Sequence, residues 1–332
     1  MTALDHREPD RVPFFNLLTI QGAAILGMSY PEYFHDPANI ARGQELLREK
    51  FGHDCLYPYY YGATEAEAFG GTCEYNPHGP PQAGAPPFSE IDDLLSYELP
   101  DPFERLPGPL QATKILADRW GTEVPILNGV IAPLSLAVLL FGMKEWMRVI
   151  IVTPERAREV VQYLLPYSVA YANAFLESGA TAVALSNPLA SPSMLREKEY
   201  RYIAFDFDKE FFARISGPAA FGLAGAPVEP LMPLVVELGA AGVTISASDN
   251  LKKIKEEWGT QINLMGNLNN IAMENWTPQD ADDAVRDCCN AAAAGGGYVL
   301  CDHQGDLPEL VRDEVLHQIK QSVETWGTYG DE

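Results

Sequence analysis

Strand-length apolar runs alternate with helix-length amphipathic segments along nearly all of the 332 residues. The runs are 12–16, 55–59, 124–128, 181–187, 219–224, 242–246, 262–266 and 298–301. Helical patterns lie between them, among others at 37–51, 154–177, 229–240, 250–258, 278–294 and 309–326. Strict alternation implies a parallel sheet with helices outside it, because a parallel crossover needs a long connection that a helix supplies. Eight is the number of strands that closes such a sheet, so the expected fold is an α/β (β/α)8 TIM barrel, a single domain over 1–332 with an elaborated N-terminus. Local signals agree: Thr277-Pro278-Gln279-Asp280 offers a hydroxyl cap and a proline at the first helical position. The run 219–224 is the weakest strand, being mostly Ala and Gly. Nine prolines between 76 and 109, with Glu90, Asp92 and Asp93, interrupt the rhythm and read as a Pro-rich ordered excursion over the barrel surface.

Charge narrows the partners. A formal net charge of −23 and no basic cluster argue against nucleic acid, an anionic membrane surface or a substrate rich in carboxylates. No apolar run reaches the length of a membrane span and the first residues do not read as a signal peptide. Five irregularly spaced cysteines fit reduced thiols better than a disulfide framework, so a cytoplasmic location is expected.

Chemistry concentrates near the C-terminus. The strand Tyr298-Val299-Leu300-Cys301 leaves a triple-glycine turn and delivers Cys301, Asp302 and His303 in succession. Barrel enzymes keep their reacting groups at such strand ends. His303 and Asp302 are therefore candidate acids or ligands, the alternative being loop hydrogen bonding; strand alternation would send them to opposite sides. Glu65, after the tyrosine run 57–61, is a candidate acid or ligand, or a charge at a helix N-terminus. Asn16, Asn128, Asn187, Asp249 and Asn267 recur at the ends of different strands, as a substrate-binding ring requires, although Asn and Asp also cap turns. Tyr59 and Tyr61, with Tyr57 and Tyr60, are available to line an aromatic pocket. Cys301, Cys288 and Cys289 read mainly as buried packing thiols.

Several segments in order resemble the uroporphyrinogen decarboxylase family. They are Asp10-Arg11-Val12-Pro13-Phe14, Phe51-Gly52-His53-Asp54, Glu65-Ala66-Glu67-Ala68-Phe69-Gly70, Gly129-Val130-Ile131-Ala132-Pro133, Leu176-Glu177-Ser178-Gly179-Ala180 and Leu264-Met265-Gly266-Asn267-Leu268. The resemblance implies a barrel and one of three chemistries. The decarboxylase branch uses arginines after the first strand, where this chain reads Leu17-Leu18-Thr19-Ile20-Gln21-Gly22-Ala23-Ala24 without one. Several substrate carboxylates could not be desolvated there. The branch that methylates thiols binds zinc through a His-x-Cys pair and a later Cys; those positions fall here on Gly222, Ala224 and near Gln304. The usual zinc ligands are thus absent, while a nonstandard site using Asp, Glu, Cys or His stays open.

What the resemblance leaves is a corrinoid-dependent methyltransferase branch. The expectation is O-demethylation of a small methoxylated aromatic, its methyl passing to cobalamin (a corrinoid) carried by a partner corrinoid protein. Alternatives are another donor such as methylamine, methanol or a methylthiol, a decarboxylase, or a noncatalytic corrinoid binder. A phenolate leaving group needs a proton during C–O cleavage, which would suit Asp302 and His303.

Overall fold

The computed structural model describes residues 2–76, 79–302 and 306–330. Its centre is a curled, all-parallel sheet of seven strands. In chain order these are β1 (Phe14–Phe15), β4 (Leu127–Ile131), β5 (Ala182–Ser186), β6 (Ala219–Gly222), β7 (Gly242–Thr244), β8 (Asn263–Met265) and β9 (Tyr298–Cys301), with β2 (Cys73–Glu74) and β3 (Gln82–Ala83) forming a separate antiparallel pair. The strand order β1-β9-β8-β7-β6-β5-β4 places neighbours in sequence side by side, as strand–helix alternation requires.

The expected second strand, 55–59, is the main departure. It contributes a single parallel bridge, Leu56 to Ile126. Pro58 has no N–H to donate, so a ladder cannot run on past Tyr57. The chain folds back instead, with Tyr59 N donating to Tyr57 O at 2.8 Å. Even so, this short segment touches both edges of the sheet: Asp54 N donates to Phe14 O at 2.9 Å, and Leu56 N to Pro125 O at 2.9 Å. The expected strand at 124–128 begins later, at Leu127, because Pro125 likewise lacks a donor.

A side-chain fork reinforces this thin join. Arg11 Nη1 and Nη2 each donate to Asp54 at 2.7 Å, and Asp54 Oδ2 also accepts from Phe14 N at 2.8 Å. Bidentate guanidinium–carboxylate pairs are the stronger kind of charged hydrogen bond. They join two of the motif segments across 43 residues of chain.

Helices cover the outer face. Pro37–Phe51 starts on Asp36, whose side chain accepts from Ala38 N, and stops at Gly52 in the left-handed conformation. Pro278–Ala292 carries the expected cap, with Thr277 and Asp280 bonding reciprocally to each other's backbone N–H. Pro154–Glu177 runs as read from the sequence. The outward-facing strand residues Val183, Leu185, Phe221, Val243, Leu264, Tyr298 and Leu300 are buried beneath these helices in one continuous core. In the Pro-rich stretch, Ile91–Leu95 and Pro102–Arg105 are short helices, and Leu94 and Leu106 are buried in that same core. Among the described residues no helix is long and apolar enough to cross a membrane.

Replacing Asp54 by Ala should lower stability by about 2 kcal/mol, or roughly 5 °C in thermal midpoint for a chain of this size. Arg7→Ala, which removes a solvent-exposed pair with Asp5, should shift the midpoint by no more than about 1 °C. Equal shifts measured by scanning calorimetry would show that the fork does not hold the sheet together.

Candidate active site

The inner face of the sheet inverts the usual burial pattern. Along β5 the outward Val183 and Leu185 are buried, whereas the inward Ala182, Ala184 and Ser186 keep partial solvent contact. A barrel interior is ordinarily filled with bulky branched side chains. Here the inward positions of β4 to β7 include Gly129, Ala182, Ala184, Ala220, Gly222 and Gly242, and a cavity of about 380 Å³ runs through the centre. Gly129 has a specific reason to lack a side chain: a Cβ would come within 3.2 Å of Tyr57 Oη and 3.3 Å of Tyr59 Cε2.

The opposite wall is aromatic. Tyr57, Tyr59 and Tyr61 all line the cavity, on the turn that follows the Leu56 bridge. Tyr57 and Tyr59 stack with centroids 5.3 Å apart and 22° between planes, and Tyr61 tilts against Tyr59 at 5.2 Å. Tyr60 points away, into a second cluster with Tyr33 and Phe34. Burial pushes the phenols of Tyr57, Tyr59 and Tyr61 upward, so all three remain neutral donors.

Two carboxyls close the C-terminal end of this wall. Asp302 is 1% exposed; its Oδ1 accepts from Leu17 N at 2.8 Å, and its Oδ2 has no hydrogen-bond partner among the described residues. Asp306 accepts from Thr19 Oγ1, which also contacts the Tyr61 hydroxyl. Burial raises Asp306 to about 7 against the opposing bonds from Thr19 and Tyr61. Burial likewise raises Asp302 to about 7, the Leu17 bond opposing it and the charge of Asp306 adding to it. Near neutrality the pair therefore carries at least one proton in an aromatic, water-poor wall. None of the described residues lining the cavity is Lys, Arg or His.

The other sequence candidates fall elsewhere. Asn128 borders the cavity, but its amide donates to Thr113 Oγ1 at 2.9 Å, on the helix Pro107–Trp120. Glu65 is buried behind the sheet and is no part of the cavity wall; its Oε1 accepts from Ile131 N at 2.9 Å, and burial raises it to about 8 against that bond. Asn187 is held by Ser135 Oγ at 2.8 Å and by Asp208 at 2.7 Å. Asp208 is itself raised to about 7 by burial, against bonds from Tyr200 and Asn187. Asp249 accepts three backbone N–H groups, from Val228, Glu229 and Ser246, and so shapes the loops after β6 and β7. Asn267 donates to Ser246 O at 3.0 Å. Asn16 is buried with no partner for its amide among the described residues, and does not line the cavity. Asn128, Asn187, Asp249 and Asn267 thus anchor neighbouring backbone and side chains, since a short amide or carboxylate bonds to the polar groups nearest it. His303 lies outside the described residues. Asp306 and Thr19 were not singled out in the sequence; the signal for Asp306 was its position four residues beyond Asp302 in the same loop.

Of the positions that the family resemblance implies for zinc, Gly222 and Ala224 line the cavity without a ligating side chain, and that near Gln304 lies outside the described residues. Among the described residues no three His, Cys, Asp or Glu side chains gather closely enough to hold an ion.

Comparison with known proteins fits this geometry. The profile of the uroporphyrinogen decarboxylase (URO-D) family matches residues 1–308. The chain belongs to that family. Within it, the chain is 24% identical over 282 residues to methylcobamide:CoM methyltransferase MtaA of Methanosarcina barkeri, covering 81% of this chain and 80% of the relative. It is 24% identical over 327 residues to methylcobamide:CoM methyltransferase MtbA of Methanosarcina mazei, covering 93% and 94%. A solved structure, a methyltransferase from Methanosarcina mazei, shares the fold with a TM-score of 0.85 at 23% identity, over 98% of this chain and 96% of that one.

The buried carboxyls make stability depend on pH. Each is raised above its unfolded value near 4, so the folded state holds the extra protons. Their contribution is complete below about pH 4 and is lost as pH rises through about 7 for Asp302, Asp306 and Asp208, and about 8 for Glu65. The thermal midpoint should therefore fall between pH 5 and pH 8. Asp302→Asn preserves the Leu17 bond while removing one titrating group, and should make that fall shallower; an unaltered slope would mean that Asp302 ionises as freely in the fold as in water.

Proposed function

We propose that this protein is a methyltransferase that takes the methyl group of a small methoxylated aromatic and passes it to the cobalt of a corrinoid carried by a partner protein. The observation that supports this reading most is an aromatic cavity, with no Lys, Arg or His among its described lining residues, and two buried carboxyls that hold a proton near neutral pH. The segment 54–56, taken as an eighth stave, completes a (β/α)8 barrel whose C-terminal end carries these groups, where such enzymes place their chemistry. The partner docks over that end, so that cobalt faces the methyl group.

The acceptor cobalt is the nucleophile and supplies the electron pair for the new Co–C bond. The methyl C–O bond breaks, and the aryl oxygen leaves with its bonding pair. A phenolate forming in an apolar wall is costly, so it needs a proton as the bond breaks. Asp302, whose Oδ2 has no partner among the described residues, donates that proton; burial is the main cause that keeps it protonated, and the charge of Asp306 adds to it. The stacked Tyr57 and Tyr59 rings hold the aromatic substrate by its face. His303, next in the chain to Asp302, is the other proton donor proposed. Two relatives are named methylcobamide:CoM methyltransferases, which supports a corrinoid partner; in those names the methylated cobamide is the methyl donor, and its role as acceptor here is part of the proposal. A thiol substrate is disfavoured, since it needs a metal or base to become thiolate at neutral pH.

A second reading has its own support: tyrosine faces beside carboxylates also suit a methylated ammonium donor. The two readings differ in sign. An ether needs the protonated pair, so its rate should fall above about pH 7. A cationic donor needs the ionised pair, so its rate should rise over the same range. Mixing the protein with a reduced corrinoid protein and 2-methoxyphenol should produce the methyl-cobalt absorption. Asp302→Asn should lower kcat by about a hundredfold or more with the ether, but should mainly raise KM with a methylammonium donor. Absence of methyl-cobalt with every O-methyl and N-methyl donor tried would end both readings.

A further inference from the structure

We infer that the cavity is a substrate chamber extending down the sheet's interior, which selects uncharged aromatic ethers carrying an apolar chain opposite the reacting oxygen; this rests on the donor class proposed above. Three observations carry it. First, the cavity does not end at the carboxyls: its walls include Pro125, Thr181, Pro218 and Ala241, just before the starts of β4 to β7, and Ala3 and Leu4 line it there. From Pro125 to Gly129 the strand rises roughly 13 Å, or about 11 Å along the axis of a sheet with ordinary barrel tilt. That depth exceeds a single ring and accommodates a ring followed by a short alkyl chain.

Second, the hollow is created at particular positions. Ala182, Ala184 and Ala220 face inward with partial solvent contact, while their outward neighbours are buried. Packed interiors leave few voids larger than a water molecule, so an accessible channel bordered by Ala182 and, one inward position on, by the paired Ala184 and Ala220 is a site that a ligand can fill. Third, the polarity is graded. Asp302, Asp306 and the phenols stand at the C-terminal end, whereas the strand side chains on the lining are mainly Phe15, Leu127, Ala182, Ala220 and Val299, and the further carboxylate there, Asp54, is tied up by Arg11 and Phe14 N. With no Lys, Arg or His among the described lining residues, a carboxylate at the far end of the substrate would find no counter-charge there. An alkyl chain would lose water at no such cost.

The test uses two ligands without a methyl ether, phenol and 4-propylphenol, so that it does not depend on methyl transfer. Titration calorimetry of the full chain should show affinity rising about fourfold per added methylene from phenol to 4-propylphenol. Ala182→Leu, beside Leu127 and one inward position deeper than Gly129, should lose the gain from the propyl chain, while an unchanged circular dichroism spectrum and thermal midpoint show that it is folded. Ala220→Val, a smaller change, should lose part of it. Failure of the wild type to bind either phenol, affinity independent of chain length, or a full propyl gain in Ala182→Leu would each overturn the chamber. If the propyl gain and its loss in Ala182→Leu are seen but no ether yields methyl-cobalt, the chamber stands and the donor assignment falls. If 2-methoxyphenol is demethylated without any chain-length gain, the reverse holds.

Discussion

The fork between Arg11 and Asp54 holds the structure where its sheet is thinnest. Strands β1 and β4 are not paired to each other; the chain between them offers only one ladder bridge, at Leu56, because Pro58 ends the strand. A curled sheet with one weak stave tends to open there. The two-pronged guanidinium bond, together with the Asp54 bond to Phe14 N, fixes the first strand to the second segment and thereby fixes Phe15, Leu17, Cys55 and Tyr57 around one cavity. The aromatic wall and the carboxyl pair both descend from that join, since Tyr57, Tyr59 and Tyr61 follow it directly and Asp302 is bonded to Leu17 just after β1.

Hollowness and acidity are linked. Glycine and alanine on β4 to β7 leave room that bulky residues would otherwise fill, yet the tyrosines opposite exclude bulk water from the carboxyls. Desolvation is what raises Asp302 and Asp306, with no cationic side chain among the described lining residues to oppose it. An arginine in the wall would reverse this by holding the carboxylates ionised, and would turn a proton-donating site into an anion-binding one. The same sheet can therefore serve quite different substrates by changing a few inward side chains, which is why the fold by itself does not name the reaction.

The alternation of runs was legible to within a few residues for most elements, including the helices Pro37–Phe51 and Pro154–Glu177. The second strand was misjudged because its hydrophobic run looks complete until the missing donor at Pro58 is counted against the ladder. In the site, Asp302, Tyr59 and Tyr61 reach the cavity. Of the strand-end amides and carboxylate, Asn128 also borders the cavity, while Asn187, Asp249 and Asn267 each have a partner close by, in a loop or a helix whose position no one-dimensional pattern reveals. Asp306 was missed for a related reason, since its importance comes from Thr19 and Tyr61, distant in sequence and adjacent in space.

The sequence alone determined the parallel α/β architecture, because hydrophobic periodicity and capping residues are local and leave few ways to bury the apolar faces. It also determined the absence of arginine after the first strand and of ligating side chains at Gly222 and Ala224, which are matters of composition. Tertiary structure decided which polar groups are free to act. Whether a carboxyl is a turn cap, a buried anchor or a proton source depends on what surrounds it after folding: Asp249 meets three backbone N–H groups, Glu65 meets one behind the sheet, and Asp302, beside a cavity, has an oxygen with no partner among the described residues. Solvation and proximity are properties of the folded chain, and the chemistry follows from them.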